Sequence, residues 1–197
     1  MSQLSVQASE YANPTAAIRW DEDGHSVICN IDYAAAHSDC HESNPSLRQL
    51  IDERLNIRTR EYVINAGMLS MLFDSEKRLE AFDFYTNPKQ WTVCSIAFVE
   101  AVPRTVQIDA VFDINGQGES LAEPATLYEP RRGTLYLSWG EASIWYALAP
   151  CLAFGVTNDN RLAQIRLDGL YIQQDLPKKN PVALWAMLRR RFIRSRG

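Results

Sequence analysis

Five residues between positions 37 and 42 hold the densest chemistry in this sequence: His37, Asp39, Cys40, His41 and Glu42. Imidazole, thiolate and carboxylate are all zinc ligands. A thiol beside an imidazole is also the pairing that nucleophilic catalysis by cysteine requires. The spacing His37-x-x-Cys40-His41 is not that of a paired metal site, however. No second cluster of cysteine and histidine exists, and His25 is the only other histidine. A polar loop ahead of a helix accounts for the same residues. Neither a metal nor a cofactor is therefore expected, and Cys40 is the one candidate reactive thiol.

Elsewhere the chemistry thins out. Gly116-Gln117-Gly118 follows a strand-like run but precedes no helix, so it reads as a turn and not as a phosphate loop. Asp109 and Asp113 alternate out of one expected strand, and Asp21, Glu22 and Asp23 share a turn. Paired carboxylates serve acid–base catalysis, but a solvated acidic face explains these as well. Cys29, Cys94 and Cys151 fall in strand-like runs and are expected to face inward as reduced thiols. Four scattered cysteines without a CxxC pair do not make a secreted disulfide scaffold. The polar start MSQLSVQASEYANPT is read as a frayed lead-in and not as a signal peptide. The expectation is a cytoplasmic protein that is not an enzyme.

Charge is distributed unevenly. The net charge of −4 combines an acidic body with a basic tail. Residues 176–197 hold Lys178, Lys179, Arg189, Arg190, Arg191, Arg194 and Arg196 and no acid, a net of +7. Residues 1–175 hold 13 basic and all 24 acidic side chains, a net of −11. Such asymmetry bears on partners and association rates, not on fold.

The elements that would carry these groups read mainly as strands. Residues 16–20 and 26–32 flank the turn Asp21-Glu22-Asp23-Gly24 and predict a hairpin. Residues 67–73 and 78–85 predict a second one, and residues 91–101 and 105–114 two further strands. Residues 125–129 with 134–139, and 151–156 with 161–168, predict two more hairpins. Both apolar faces of 78–85 suit an inner strand. Two helices are expected. One covers residues 45–56, where Asn44-Pro45 precedes the stripe Leu47, Leu50, Ile51 and Leu55. The other lies in the tail after Asn180-Pro181, with Val182, Trp185, Leu188 and Phe192 on one side.

Part of the chain repeats. At a shift of 83, residues 67–84 fall without a gap on residues 150–167, so that Leu69 meets Leu152 and Phe82 meets Ile165. At a shift of 108, Trp20 meets Tyr128, and Val27, Cys29 and Ile31 meet Leu135, Leu137 and Trp139. The first copy therefore carries 25 extra residues, which include the expected helix at 45–56. A small hairpin pair cannot bury its apolar face alone, whereas two packed together can. Tyr128, Glu129, Leu135, Tyr136, Leu137, Arg161, Leu162 and Ile165 also give residues 125–170 a resemblance to a small uncharacterised bacterial β-rich domain family. Residues 16–32 and 62–85 resemble it more loosely. Pro150-Cys151 before the third strand and the absence of glycine in the final turn depart from that pattern. The resemblance implies antiparallel sheet and carries no catalytic residue across.

The resulting expectation is an α+β fold of mainly antiparallel sheet. It has a flexible lead-in at 1–15, one β-rich domain over 16–175 with units 16–86 and 125–172 bridged by 91–114, and a basic helix at 176–197. The function expected is non-catalytic binding of a basic protein partner, on the pattern of bacterial immunity proteins that neutralise nuclease toxins. Expected contacts are Asp39, Glu42, Asp52 and Glu53, and on the tail Trp185, Arg189, Arg190 and Arg191. Two other readings remain open: a metal- or thiol-dependent enzyme or sensor using His37–Glu42, and a membrane or nucleic-acid adaptor using the tail.

Overall fold

The computed structural model describes residues 4–33 and 62–172. Within them the chain is almost wholly β. Its one helical element is a 3-10 turn at Pro88–Gln90, started by the Asn87 side chain accepting from the Lys89 N–H. This corrects the α+β class: period-two burial, as in the strand Leu69–Phe73, organises the described residues. The two expected helices, at 45–56 and in the 176–197 tail, lie outside the described residues. Among the described residues no helix is long and apolar enough to cross a membrane.

Fourteen strands are present: β1 (Ser5–Ser9), β2 (Thr15–Asp21), β3 (Ser26–Asp32), β4 (Tyr62–Ala66), β5 (Leu69–Phe73), β6 (Leu79–Tyr85), β7 (Thr92–Val93), β8 (Val102–Pro103), β9 (Thr105–Asp109), β10 (Ala125–Glu129), β11 (Thr134–Ser138), β12 (Ile144–Ala149), β13 (Leu152–Val156) and β14 (Leu162–Leu167). They form a five-stranded sheet in the order β2-β3-β6-β5-β4, a seven-stranded sheet in the order β7-β10-β11-β14-β13-β12-β8, and the two-stranded ribbon β1-β9.

Without its short edge strands β7 and β8, the second sheet repeats the order of the first. The pairings repeat as well. Val27 pairs with Phe84 and Leu135 with Leu167; Met71 pairs with Phe82 and Phe154 with Ile165. Even the bulge between Leu72 and Phe73 recurs between Gly155 and Val156. These correspondences run at the shifts of 108 and 83 read from the sequence. Each array has five strands, however, not four. Gly67-Met68, at the start of the expected run 67–73, form the turn between β4 and β5, and β12 has no counterpart among the expected strands.

The N-terminal segment belongs to this framework and is not a frayed lead-in, because Leu4 and Val6 are buried and β1 pairs with β9 along its whole length. The Val6 N–H donates to the Asn160 carbonyl at 2.8 Å, at the turn before β14. The Ile108 N–H of β9 donates to the Lys77 carbonyl at 2.9 Å, at the matching turn before β6. Lys77 and Asn160 are both left-handed, at φ 61° and 54°. Val6 and Ile108 also pair with each other. Each array is thus clasped by the strand that leads into the other, about a local two-fold axis through the ribbon.

One apolar core joins both inner faces. It runs from Val27, Cys29, Met71 and Phe82 to Leu135, Leu137, Phe154 and Ile165. Trp91 is fully buried between Trp20 and Tyr128, with ring centroids 5.9 and 5.3 Å away. Its indole N–H donates to Thr86 Oγ1 at 2.7 Å.

The turn between β10 and β11 depends on Gly133, at φ +61°. A Cβ there would meet the Leu170 carbonyl at 3.0 Å, and the Leu170 N–H donates to the Gly133 carbonyl. An L side chain in this conformation costs about 1–2 kcal/mol. Gly133→Ala is therefore expected to lower the urea midpoint by that amount of stability with an unchanged m-value. An unchanged midpoint would show that the turn does not need glycine.

Candidate interaction surface

The matched arrays place equivalent residues on the two outer faces, and there the chemistry differs. One row across the first sheet is Arg19, Ile28, Asp83, Ser70 and Asn65. The equivalent row of the second is Leu127, Tyr136, Arg166, Ala153 and Ala147. A buried arginine stands where the first sheet has an exposed aspartate.

The second face is covered. Residues 94–101 run from β7, at one edge of the sheet, to β8, at the other. Cys94, Ile96 and Ala101 pack on Leu127, Tyr136, Trp145 and Ala153. The Cys94 N–H donates to the Tyr128 carbonyl at 3.0 Å, and Arg166 Nη1 donates to the Val99 carbonyl at 2.7 Å. The buried Glu129 carboxylate accepts from the Ile96 and Arg131 N–H groups. This crossing corrects the expected strand at 91–101: only Thr92–Val93 pairs, because the remaining residues pack across the sheet instead of beside it.

No described segment crosses the corresponding positions of the first face. Arg19, Asn30, Asn65, Asp83 and Tyr85 are exposed. Tyr85 is 52% and Met68 55% exposed, and the Tyr85 N–H donates to the Met68 carbonyl, so the two lie side by side. The exposed Glu123 side chain lies against Gly67, next to Met68. The turn Asp21–Gly24, tied by the Gly24 N–H donating to Asp21 Oδ1, borders the same corner. The described residues carry 18 acidic and 9 basic side chains. Asp83 stands two residues before Tyr85 on the same face of β6, Glu123 lies against Gly67, and the turn carrying Glu22 and Asp23 leads into Ser26, the register partner of Tyr85. Aromatic residues and methionine are enriched at protein interfaces, and rim charges steer encounter.

Asp39, Glu42, Asp52, Glu53, Trp185, Arg189, Arg190 and Arg191 lie outside the described residues, as do His37, Cys40 and His41. His25 is exposed at φ 50°, stacked on Trp20 at 6.3 Å. Among the described residues no three histidine, cysteine, aspartate or glutamate side chains are grouped to hold a metal ion.

Of the remaining cysteines only Cys29 is in a strand and buried. Cys94 follows β7 and Cys151 sits in the turn between β12 and β13, both half-buried. Burial pushes the Cys29 thiol up to about 12 and the Cys94 thiol up to about 11. It also raises Cys151, whose thiol donates to the Ala16 carbonyl. All three are therefore protonated at neutral pH and poor nucleophiles. Asp109 ends β9, while Asp113 caps a turn by accepting from the Asn115 and Gln117 N–H groups, so the two do not share a strand.

Met68, Asp83 and Tyr85 went unmarked in the sequence because each sits inside an ordinary strand pattern. A signal was present nonetheless: at the 83-residue shift Asp83 meets Arg166 and Tyr85 meets Asp168, in copies whose inward positions, such as Leu69, Phe82 and Phe84, meet apolar residues. No protein-family model matches the chain, and no curated protein is significantly similar to it.

Proposed function

We propose that this protein is a non-catalytic binding protein that docks a cationic protein partner on the outer face of its first sheet. The observation that carries this reading is the exposed Met68–Tyr85 pair, on a face that also exposes Asp83 and in a body whose described residues are acidic in balance. The matching face of the second sheet is covered by residues 94–101, whereas no described segment crosses the first. In its specific form the partner is a basic, nuclease-like toxin and the protein a cytoplasmic bacterial immunity protein. The enzyme and tail-adaptor readings rest on residues outside those described, and no described feature favours either.

The test is association kinetics against a panel of nuclease toxins at increasing salt. Electrostatic steering accelerates encounter by about 10- to 1000-fold at low salt. The cognate complex is expected to form fast at low ionic strength and to slow steeply as salt rises. Asp83→Lys combined with Glu22→Lys is expected to slow association, and Tyr85→Ala to speed dissociation. Surface substitutions of this kind shift folding stability by only about 0.5 kcal/mol, so lost binding would not reflect unfolding. Absence of binding to every basic candidate, or binding indifferent to salt and to these substitutions, would end the proposal.

A further inference from the structure

Beneath the 94–101 crossing lies a pocket of about 240 Å³, between those residues and the outer face of the second sheet. Tyr136 and Arg166, which are register partners on β11 and β14, line it together with Trp145, Gln164 and Val99, and Glu141 stands at its rim. Tyr136 is 3% and Arg166 5% exposed. Neither side chain spends all of its hydrogen-bonding capacity on the described residues. Arg166 donates through Nε to Asp168 and through Nη1 to the Val99 carbonyl. No described residue bonds its Nη2 or the Tyr136 hydroxyl. Gln164 uses its amide N–H groups on the Gly140 carbonyl and Ser138, while its own carbonyl is unclaimed among the described residues.

We infer that this pocket is a binding site for a small organic monocarboxylate with a flat apolar body. Arg166 Nη2 and the Tyr136 hydroxyl supply two donors for one carboxylate, from adjacent strands where side chains stand about 5 Å apart. Burial raises the pKa of the Tyr136 phenol, so its hydroxyl keeps the proton that it would donate. Asp168 offsets one positive charge, but the Arg132 and Arg166 guanidinium groups both lie on the Phe98 ring, 4.8 and 4.5 Å from its centroid. Two guanidinium groups thus stand against the carboxylates of Asp168 and Glu141, so the anion is selected by directed donors and not by net charge. Trp145 and Val99 form the apolar walls. Glu141, exposed at the rim, disfavours a second negative charge on the ligand.

The matched first face cannot form this site. Ile28 stands in place of Tyr136, Asp83 in place of Arg166 and Leu72 in place of Gly155. Gly155 is what admits Trp145: a Cβ there would sit 2.6 Å from Ala142 Cβ and 3.0 Å from the indole. The site thus consists of the positions at which the two arrays differ. Pockets with apolar walls and a few convergent polar groups are the usual form of small-molecule sites.

The test uses the full chain with benzoate, indole-3-acetate, their uncharged amides, and a short peptide ending in phenylalanine with a free or an amidated C-terminus. Binding is read by calorimetry and by thermal stabilisation. At least one free acid is expected to bind and its amide to bind about 10- to 100-fold more weakly, the loss of a charge-assisted hydrogen bond. Tyr136→Phe, which keeps the ring, is expected to weaken the acid by a similar factor while leaving the melting temperature of the unliganded protein within a few degrees. Gly155→Val is expected to abolish binding by displacing Trp145. Binding of the free-ended peptide alone would identify a chain terminus as the source of the carboxylate. Failure of every acid and of the peptide, equal binding of acids and amides, or indifference to Tyr136→Phe would each overturn the assignment.

Discussion

Truncating Phe82 to alanine is expected to cost about 3–5 kcal/mol of folding stability and to destabilise both sheets together. Phe82 is 1% exposed on the central strand of the first sheet, between Cys29 and Met71. Ile165 is its counterpart in the second sheet and is fully buried; Ile165→Ala is expected to cost about 2–5 kcal/mol. Domains of this size hold only about 5–15 kcal/mol in total, so either change removes a large share. Because one core joins the two inner faces and the β1-β9 ribbon clasps both arrays, neither sheet has a reason to melt alone. Urea unfolding followed by far-ultraviolet dichroism and by tryptophan fluorescence should give coincident transitions in the wild type and in both variants. A variant that unfolds in two steps would show that the sheets are separate folding units.

The two-fold correspondence explains why so much of the framework could be read from the sequence. Its shifts of 108 and 83 are carried by inward-facing residues such as Val27, Leu135, Phe82 and Ile165, whose period is fixed by the pleat. What could not be read depends on distant pairing. β1 has one large apolar residue, Val6, with Leu4 just ahead of it, and its place follows from β9 and from the turn at Asn160, about 100 and 150 residues away in the chain. Residues 94–101 look like a strand because Ile96, Phe98 and Val99 are β-prone, yet they cross a sheet already complete. The run 67–73 hides a turn at Gly67, where φ is +62°.

The candidate surfaces were less legible still, for a related reason. Period-two patterns mark which residues face inward and say little about the outward set. Asp83 and Arg166 each read as the polar half of an alternation. Only their placement in matched rows shows that one is exposed beside Tyr85 and the other buried beneath residues 94–101. Cysteine and histidine attract notice by type, but the described thiols are held protonated by the core. Arg166, Tyr136 and Gly155 matter by position. Divergence between like arrays is therefore the more informative signal here than any local motif.

Those protonated thiols make the alkaline limb of stability a further test of the core. The Cys29 thiol, fully buried in β3, ionises near 12, chiefly because burial penalises the thiolate and secondarily because of Cys151. In the unfolded chain its ionisation lies near 9.0. The folded state thus holds this proton more tightly. The stability it contributes is complete below pH 9.0 and is lost as pH rises from there toward 12. Over that window the linked loss is about 1.4 kcal/mol for each pH unit. Tyr33 adds to the same trend, since burial also raises its phenol, whose hydroxyl donates to the Leu79 carbonyl at 2.9 Å. Cys29→Ala removes one titrating group from the core and is expected to flatten the decline between pH 9 and 11 by about that slope, whatever it costs at neutral pH. Tyr33→Phe should flatten the decline only at higher pH, above the ordinary phenol value near 10.0. Denaturation midpoints measured at half-unit pH steps decide the matter. Parallel alkaline limbs for wild type and Cys29→Ala would mean that the thiol reaches water in the folded state, contrary to its place between the two sheets.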